Sequence, residues 1–570
     1  MDSPGSYTEP FGWDELQVYK GVETLMLGAG GPAGTLNFKR YKPDFSGDPI
    51  TGKLMASYSN SFYKLGSDVA TGNDDGYLRL ISQYYQQESY RDGNNQLTRT
   101  AFKTTSNTLI GGYNPSQDSE IRLSIMANRG RDALFAGTMM DGPKTDMDAL
   151  QLHYFAGDPQ SINFSEYQIY WNQAHHIMDN YSLRTQTAPM RMLTDSNSNT
   201  KGLKWHKSWQ TNKQIWQTAI DWQNVQRNAN RFMGMMGIPE QLQSKVWPNN
   251  ELDIKGAALE MEYQFSVDHR LKTGVRFDQV NASASITQNL AIYQNYYLST
   301  PNNSQENNLS GFARYYYKNA KFLYWAGVSS NVRTADATER YLAAKSGQAM
   351  MRWIGNPDIQ PERHNQIELG TKWNFNEGWS ELNIYYNSIA NFILRDRARM
   401  QSGIIAMDMA TIYRNVDATL YGFEWSLKQN FDNNWRLNTN IAYVKGTNDN
   451  TRIPLYQIPP VEGLIELNHH KDRVNLWLDV KWALTQTNVD SDPMYGSGLD
   501  NEQSSAWLSV NFKASYELNH LWQLTLGINN VFDREYAYHV SRANMDPFNP
   551  EPILVNEPGR QFWLSIIARL

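Results

Sequence analysis

The sequence predicts an all-β chain that closes into a transmembrane antiparallel β-barrel. Three observations predict it. Apolar and polar residues alternate in segment after segment of roughly ten residues, the length of a membrane-crossing strand. Large rings are abundant, with 33 Tyr, 18 Trp and 21 Phe. The mean hydropathy is nevertheless −0.62. A chain rich in rings yet polar on average must confine those rings to restricted surfaces. A barrel does so by turning one side of each strand to lipid and the other to a polar lumen. Lipid supplies no hydrogen-bond partner, so every backbone group pairs between strands and the sheet has to close.

The alternation can be followed along the chain. In GYLRLISQYY, Leu78, Leu80, Ser82 and Tyr84 share one side. In EIRLSIMAN, Ile121, Leu123, Ile125 and Ala127 alternate with Glu120, Arg122, Ser124 and Met126. In GAALEMEYQFSV, Leu259, Met261, Tyr263, Phe265 and Val267 alternate with polar neighbours such as Glu260 and Glu262. Trp522, Leu524, Leu526 and Ile528 form one face of HLWQLTLGINNVF, and Phe562, Leu564, Ile566, Ala568 and Leu570 one face of GRQFWLSIIARL. Asn/Asp/Gly/Ser stretches such as DGNNQ, NPSQDS and GTNDNT separate the segments as turns. Rings sit near strand ends, as Tyr167 and Trp171 do in SEYQIYWNQ. A soluble sandwich would use strands of about five or six residues. A propeller or solenoid would repeat at a fixed period, and none is visible.

The first 45 residues read differently. ELQVYKGVETLMLGAGGPAGTLNFKRYKP suggests strand, short helix, Gly-rich turn, strand and a proline stop. GAGGPAG lacks both the following Lys-Ser/Thr of a phosphate loop and the GxGxxG order, so its glycines are read as tight turns. MDSPGSYTEPFGWDE has neither the basic nor the apolar region of a secretion signal. No stretch approaches the roughly 20 apolar residues of a membrane helix.

Composition narrows the function. The formal charge of −6 gives no basic footprint, so no nucleic-acid partner is expected. Cysteine is absent, which removes disulfides and thiolate metal sites from this chain. No Ser/His/Asp grouping stands out, and an enzyme is not expected. Asp146/Asp148 and Asp490/Asp492 read as solvated loop charges. One stretch carries possible metal chemistry: QAHHIMDNYSLR, Gln173 to Arg184, with His176 and Met178 two residues apart. Residues i and i+2 of a strand share a face, with side chains starting roughly 6–7 Å apart, close enough to chelate one ion. Thioether sulfur favours Cu(I) and imidazole accepts Cu(I) or Cu(II), so copper is the metal such a pair prefers. Among 10 His and 21 Met, however, such a spacing also arises by chance. His175 points the other way on a regular strand. Met190/Met192, Met233/Met235 and Met407/Met409 repeat the i, i+2 spacing, and Met139/Met140 and Met350/Met351 are adjacent. Each pair reads either as a weaker copper contact or as adaptable packing.

LQVYKGVETLMLGAGGPAGTLNFKRYKP resembles the end of the plug of TonB-dependent outer-membrane receptors, matching at Val18, Lys20, Gly21, Leu27, Gly28, Gly34, Leu36, Asn37 and Arg40 to Pro43. Val22 stands where that family often has Pro, and Leu27 where it often has Tyr. NPDIQPERHNQIELGTKW from Asn356 resembles its mid-barrel segment. LTLGINNVFDREYAYH and GRQFWLSIIARL resemble its C-terminal strands, although the chain ends in Leu570 rather than an aromatic residue. The resemblance covers essentially the whole chain.

The resemblance implies a monomeric barrel of about 22 strands in the bacterial outer membrane, here at 46–570, with the C-terminal part of a plug at 1–45. It implies a TonB energy-transducing partner whose contact segment and first plug half lie before Met1, and a surround of outer-membrane lipid and lipopolysaccharide. MDSPGSYTEPFGWDELQVYKG, FAGTMMDGPKTD and HHIMDNYSLR further resemble the copper-receptor subfamily. There a Cys-x-x-x-Met pair in the plug and a His-x-Met pair in the barrel hold the transported copper. By that resemblance His176 and Met178 are the barrel ligands and Met1 the plug ligand. Met139 and Met140 rank next, because their stretch matches. The cargo is then a copper ion, Cu(I) or Cu(II), or a metal chelate. The alternatives are a ferric siderophore receptor of the same fold and a passive porin.

Overall fold

A computed structural model describes residues 10–21, 23–32, 34–45, 47–158, 161–185, 190–544 and 553–570. Within them, 22 antiparallel strands close into one barrel. Wall strands adjacent in sequence pair in space, and the first (Ile50–Ser59) pairs with the last (Gln561–Arg569) from Lys53↔Arg569 to Ser59↔Trp563, which closes the wall. Closure leaves no edge with unpaired N–H and C=O groups, as a bilayer requires. Alternate connections are short, such as 212–213 and 472–473, and long, such as 284–302 and 334–361. Apart from the two-residue link 60–61, the connections of up to four residues lie on the rim where the chain enters and leaves the wall, and there Leu570 N donates to Gly52 O. Short turns mark the periplasmic rim of such barrels and long loops the extracellular rim.

The predicted faces are the observed ones. Leu78, Leu80, Ile121, Leu123, Ile125, Leu259, Trp522, Leu526, Phe562 and Ile566 are exposed on the outer wall. Their polar sequence neighbours, among them Arg79, Glu120, Arg122, Ser124 and Glu260, are buried on the lumen side. The long loops have a core of their own, in which Tyr293, Tyr296, Tyr297, Tyr341, Ile354, Ile404 and Ile412 pack together. One short helix in this cap, Ala337–Tyr341, starts with a capping box. Asp336 accepts from the Thr338 and Glu339 N–H groups and Glu339 accepts from the Asp336 N–H, so three of the helix's orphan donors are satisfied.

The N-terminal segment lies inside the lumen, because lumen-facing residues from several sides of the wall hold it. Its strands β1 (Glu15–Lys20) and β2 (Gly34–Lys39) form a separate antiparallel pair. Between them, the short helix expected from the sequence is not formed among the described residues, which make turns instead. The backbone finds its partners in the wall rather than in itself: Leu25 N and Thr24 Oγ1 donate to Glu260, and Leu25 O accepts from Arg276. Gly28, Gly30 and Gly31 take positive φ, which a helix cannot use. Leu25 and Met26 enter an apolar niche of Ala219, Ala258 and Phe312. Further ties are Asp14 to Arg79, Glu23 to Arg314 and Lys20 to Glu424.

Candidate metal site

The site is built where two adjacent wall strands reach the long-loop rim. Four neighbouring strands frame it: β3 (Phe102–Ser116), β4 (Ser119–Ala133), β5 (Asp141–Ala156) and β6 (Phe164–Asp179). Beyond them lie β7 (Arg191–Thr211) and β8 (Gln214–Gly234). On β6 the rings of Tyr167 and Trp171 and the side chain of Ile169 point to lipid. Even-numbered residues therefore point inward. His176 and Met178 thus share the lumen face at the extracellular end of the strand, as the spacing predicted. His176 is only 1% exposed. His175 faces outward, where its Nε2 lies 2.9 Å from Asp195 Oδ1.

A bulge makes room beside the pair. The register of β5 against β6 shifts between Asp141↔Asp179 and Lys144↔Ile177, so Gly142 and Pro143 stand together opposite Met178. A Cβ added to Gly142 would come 3.3 Å from His176 Nε2 and 3.2 Å from Phe135 Cε2. Glycine there leaves the imidazole its space. Gly142→Ala is therefore expected to leave barrel formation intact, read as heat-modifiable gel migration, while weakening metal binding at His176 about tenfold by crowding Nε2. Unchanged metal affinity would show that Nε2 is not the ligating atom.

The loop carrying Met139 and Met140 is fastened to the loop that follows His176 and Met178. Arg184 donates through Nε and Nη2 to Asp141 and through Nη2 to the carbonyls of Phe135 and Thr138. Asp141, fully buried, also accepts from Arg99 and from Phe135 N. Asp179 closes the other loop by accepting from Tyr181 N, Ser182 N and the Ser182 hydroxyl. The stretches FAGTMMDGPKTD and HHIMDNYSLR are thus parts of one structural unit. Met139 is exposed and Met140 half-buried within it. Met1 lies outside the described residues.

The structure also joins methionines that the sequence left as separate pairs. Met192 of β7 and Met233 of β8 are register partners on the lumen face, and Thr194, two residues along from Met192, pairs with Met178. Met147 of β5 faces the lumen two residues from Thr145, the partner of His176. No sequence spacing pointed to it, since pairing across strands is invisible without register. Met350, Met351 and Met407 are exposed in the loops and stand apart from this unit. Among the described residues no three His, Cys, Asp or Glu side chains form a metal-holding group.

Two other expectations change. Asp490 is not a solvated charge: it is 5% exposed and accepts from Ser497 N and Oγ. Asp146 and Asp148 belong to β5 rather than a loop and pair with Arg129 and Arg131. A Ser/His/Asp cluster does form in the loops, with Ser504 Oγ 3.1 Å from His539 Nδ1 and His539 Nε2 3.6 Å from Asp500 Oδ1. All three are buried, so the cluster ties loops together. Burial pushes the Asp500 carboxyl up, but His539 and the N–H groups of Asp490 and Gln457 outweigh it and hold it below the usual carboxylate range.

Comparison with known proteins agrees with this architecture. The "TonB dependent receptor-like, beta-barrel" family model matches residues 34–531. The solved structure of "Copper transporter OprC" superposes with a TM-score of 0.89 at 25% identity, covering 100% of this chain and 88% of that one. The siderophore receptor PirA from Acinetobacter baumannii gives 0.72 at 15% identity, covering 97% and 85%, a likeness of fold alone. The probable TonB-dependent siderophore receptor PiuA of A. baumannii is 26% identical over 200 residues, which are 32% of this chain and 24% of that relative. The match thus spans about a quarter of the curated relative's length. A closed 22-stranded barrel holding an N-terminal segment in its lumen, matched by this family over most of its length, belongs to the TonB-dependent receptors of the bacterial outer membrane.

Proposed function

We propose that this receptor captures ionic copper at the cell surface and passes it to the periplasm, with His176 and Met178 as its barrel ligands. The observation that carries the proposal is the lumen-facing His-x-Met pair, a buried His176 with a half-buried Met178, beside a methionine loop clamped by Arg184. An imidazole and a thioether on one strand face suit Cu(I) and accept Cu(II). Met139, Met140, Met192 and Met233 supply weaker thioether contacts on the approach from the rim. Met1 completes the site from the plug side. The likeness to a copper transporter supports the reading.

Residues 1–45 act as the plug part and 46–570 as the barrel. The chain works as a monomer, in lipid and lipopolysaccharide, with a TonB complex supplying energy. It binds cargo without enzymatic conversion. A site shared between plug and wall is emptied when the plug moves, because the coordination sphere is then split.

The siderophore receptors among the relatives supply the second reading, a ferric chelate as cargo. Calorimetric titration of the purified receptor with Cu(I), Cu(II) and a panel of ferric siderophores separates the two. Saturable copper binding with no siderophore heat is the expected result. Saturable binding of a ferric siderophore with none of copper would overturn the proposal.

A further inference from the structure

The lumen wall carries a second pair of imidazoles, which the capture site does not use. They lie on the strands around His176, at the opposite end. Leu152, Tyr154, Tyr167 and Leu203 are exposed on the outer wall. Their neighbours in the alternation, His153 of β5, Glu166 of β6 and Lys204 and His206 of β7, therefore face the lumen. Glu166 and His206 are register partners, and His153 lies diagonally across from Glu166 on its other side. Ten residues separate Glu166 from His176. That is about 33 Å along a strand at about 3.3 Å per residue, or about 25 Å toward the periplasm at a tilt of about 40°. These side chains line a cavity of about 430 Å³ between the wall and the N-terminal segment, which extends to Asp158 in a periplasmic turn. Met26 lines the same cavity from the segment's side. It packs against Ala219 of β8, the register partner of His206. His153 Nδ1 lies 3.0 Å from Glu166 Oε1, and His206 Nε2 lies 3.3 Å from Gln217 Oε1. Both oxygens accept, so each of these ring nitrogens carries a proton. In the neutral rings the lone pairs are then on His153 Nε2 and His206 Nδ1. Ligating histidines are set in this way, one nitrogen donating to a carboxylate or carbonyl while the other takes the metal.

We propose that His153 Nε2, His206 Nδ1 and the Met26 sulfur form a second copper station, on the periplasmic half of the lumen, which holds the ion on its way out. The station depends on the copper reading for the identity of its cargo. Two imidazoles and one thioether are donors that suit Cu(I) and accept Cu(II). Only two of the three are imidazole, carboxylate or thiolate donors, so a search for three such groups passes the place by. The backbones of β5 and β7 are two strand spacings apart, about 10 Å. Two inward imidazoles close that span around one ion by side-chain rotation. Lys204, two residues from His206 on the same face, also lines the cavity. Its charge opposes a bound cation, so the station holds copper more weakly than His176 and Met178 do and releases it. Met26 belongs to the N-terminal segment and the imidazoles to the wall, so a movement of that segment splits this coordination sphere as it splits the upper one.

The test uses the full chain in detergent, in a His176→Ala, Met178→Leu background that silences the upper site. His153→Asn and His206→Gln are then added together. Each replacement keeps an N–H where the ring met Glu166 or Gln217 and removes the ligating nitrogen, and heat-modifiable migration shows that the barrel is intact. The receptor is titrated with Cu(II) and read by electron paramagnetic resonance. The two cavity substitutions are expected to remove about one equivalent of nitrogen-coordinated copper per receptor. Met26→Leu in the same background is expected to weaken Cu(I) binding in the cavity about tenfold. The same amount of nitrogen-coordinated copper with and without His153→Asn and His206→Gln would overturn the station. The two sites fail separately. Copper binding untouched by His176→Ala, Met178→Leu but reduced by the cavity substitutions would remove the upper site and keep the lower one.

Discussion

Replacing His176 with Ala and Met178 with Leu together is expected to lower copper affinity about 100-fold or more, with the barrel intact. The magnitude follows from the site's chemistry. Removing a group that merely orients a ligand typically costs 10–100-fold in metal affinity, so loss of two ligands exceeds that range. The substitutions remove both donors that β6 turns to the lumen. On the proposed reading, the thioethers of Met192 and Met233 would then remain without the imidazole. His175→Ala is the matched control: that ring faces outward onto Asp195, so its loss should leave affinity unchanged. Leu at 178 preserves volume, which keeps packing beside the bulge at Gly142 and Pro143. Calorimetry with Cu(I) and with Cu(II) gives the affinities. A double variant that binds copper as tightly as the parent would remove His176 and Met178 from the site.

Some of this was written in the sequence and some was not, for definite physical reasons. Strand alternation has a period of two residues, so the lipid face of Leu78 and Leu80 and the lumen face of Arg79 followed from local order alone. The same rule correctly put His176 and Met178 on one face and His175 on the other. Register is a relation between strands and leaves no local mark. Hence the Met192↔Met233 pair, the inward Met147 and the Gly142–Pro143 bulge became visible only in the structure. The short helix expected between the first strand and the Gly-rich turn failed because the wall offered its backbone better partners than a helix would, Glu260 and Arg276. Asp490 was misread for a related reason. Its loop folds back on it and turns the Ser497 and Gly498 N–H groups to its carboxylate, a burial that composition alone would not reveal.

The largest expected effect on stability comes from Arg276, which joins the N-terminal segment to the wall. Its guanidinium is 1% exposed and donates to Asp221, Asp278 and Leu25 O. Arg276→Met keeps much of the volume but leaves two inward carboxylates without their cation and one carbonyl without its donor. Breaking a buried pair in this way typically costs about 3–5 kcal/mol, because the remaining charge stays desolvated. The variant should therefore lose heat-modifiable migration at a clearly lower temperature than the parent. It should also conduct ions more readily in planar bilayers, since Leu25 and Met26 lose one of the bonds that seat them against Ala219, Ala258 and Phe312. The decisive comparison adds Asp221→Asn and Asp278→Asn to Arg276→Met. If the penalty comes from uncompensated charge rather than lost packing, the triple variant recovers much of the stability that the single variant lost. A single variant as stable as the parent would mean that the two carboxylates find water or protons in the lumen. In that case the cluster is not what holds the N-terminal segment in place.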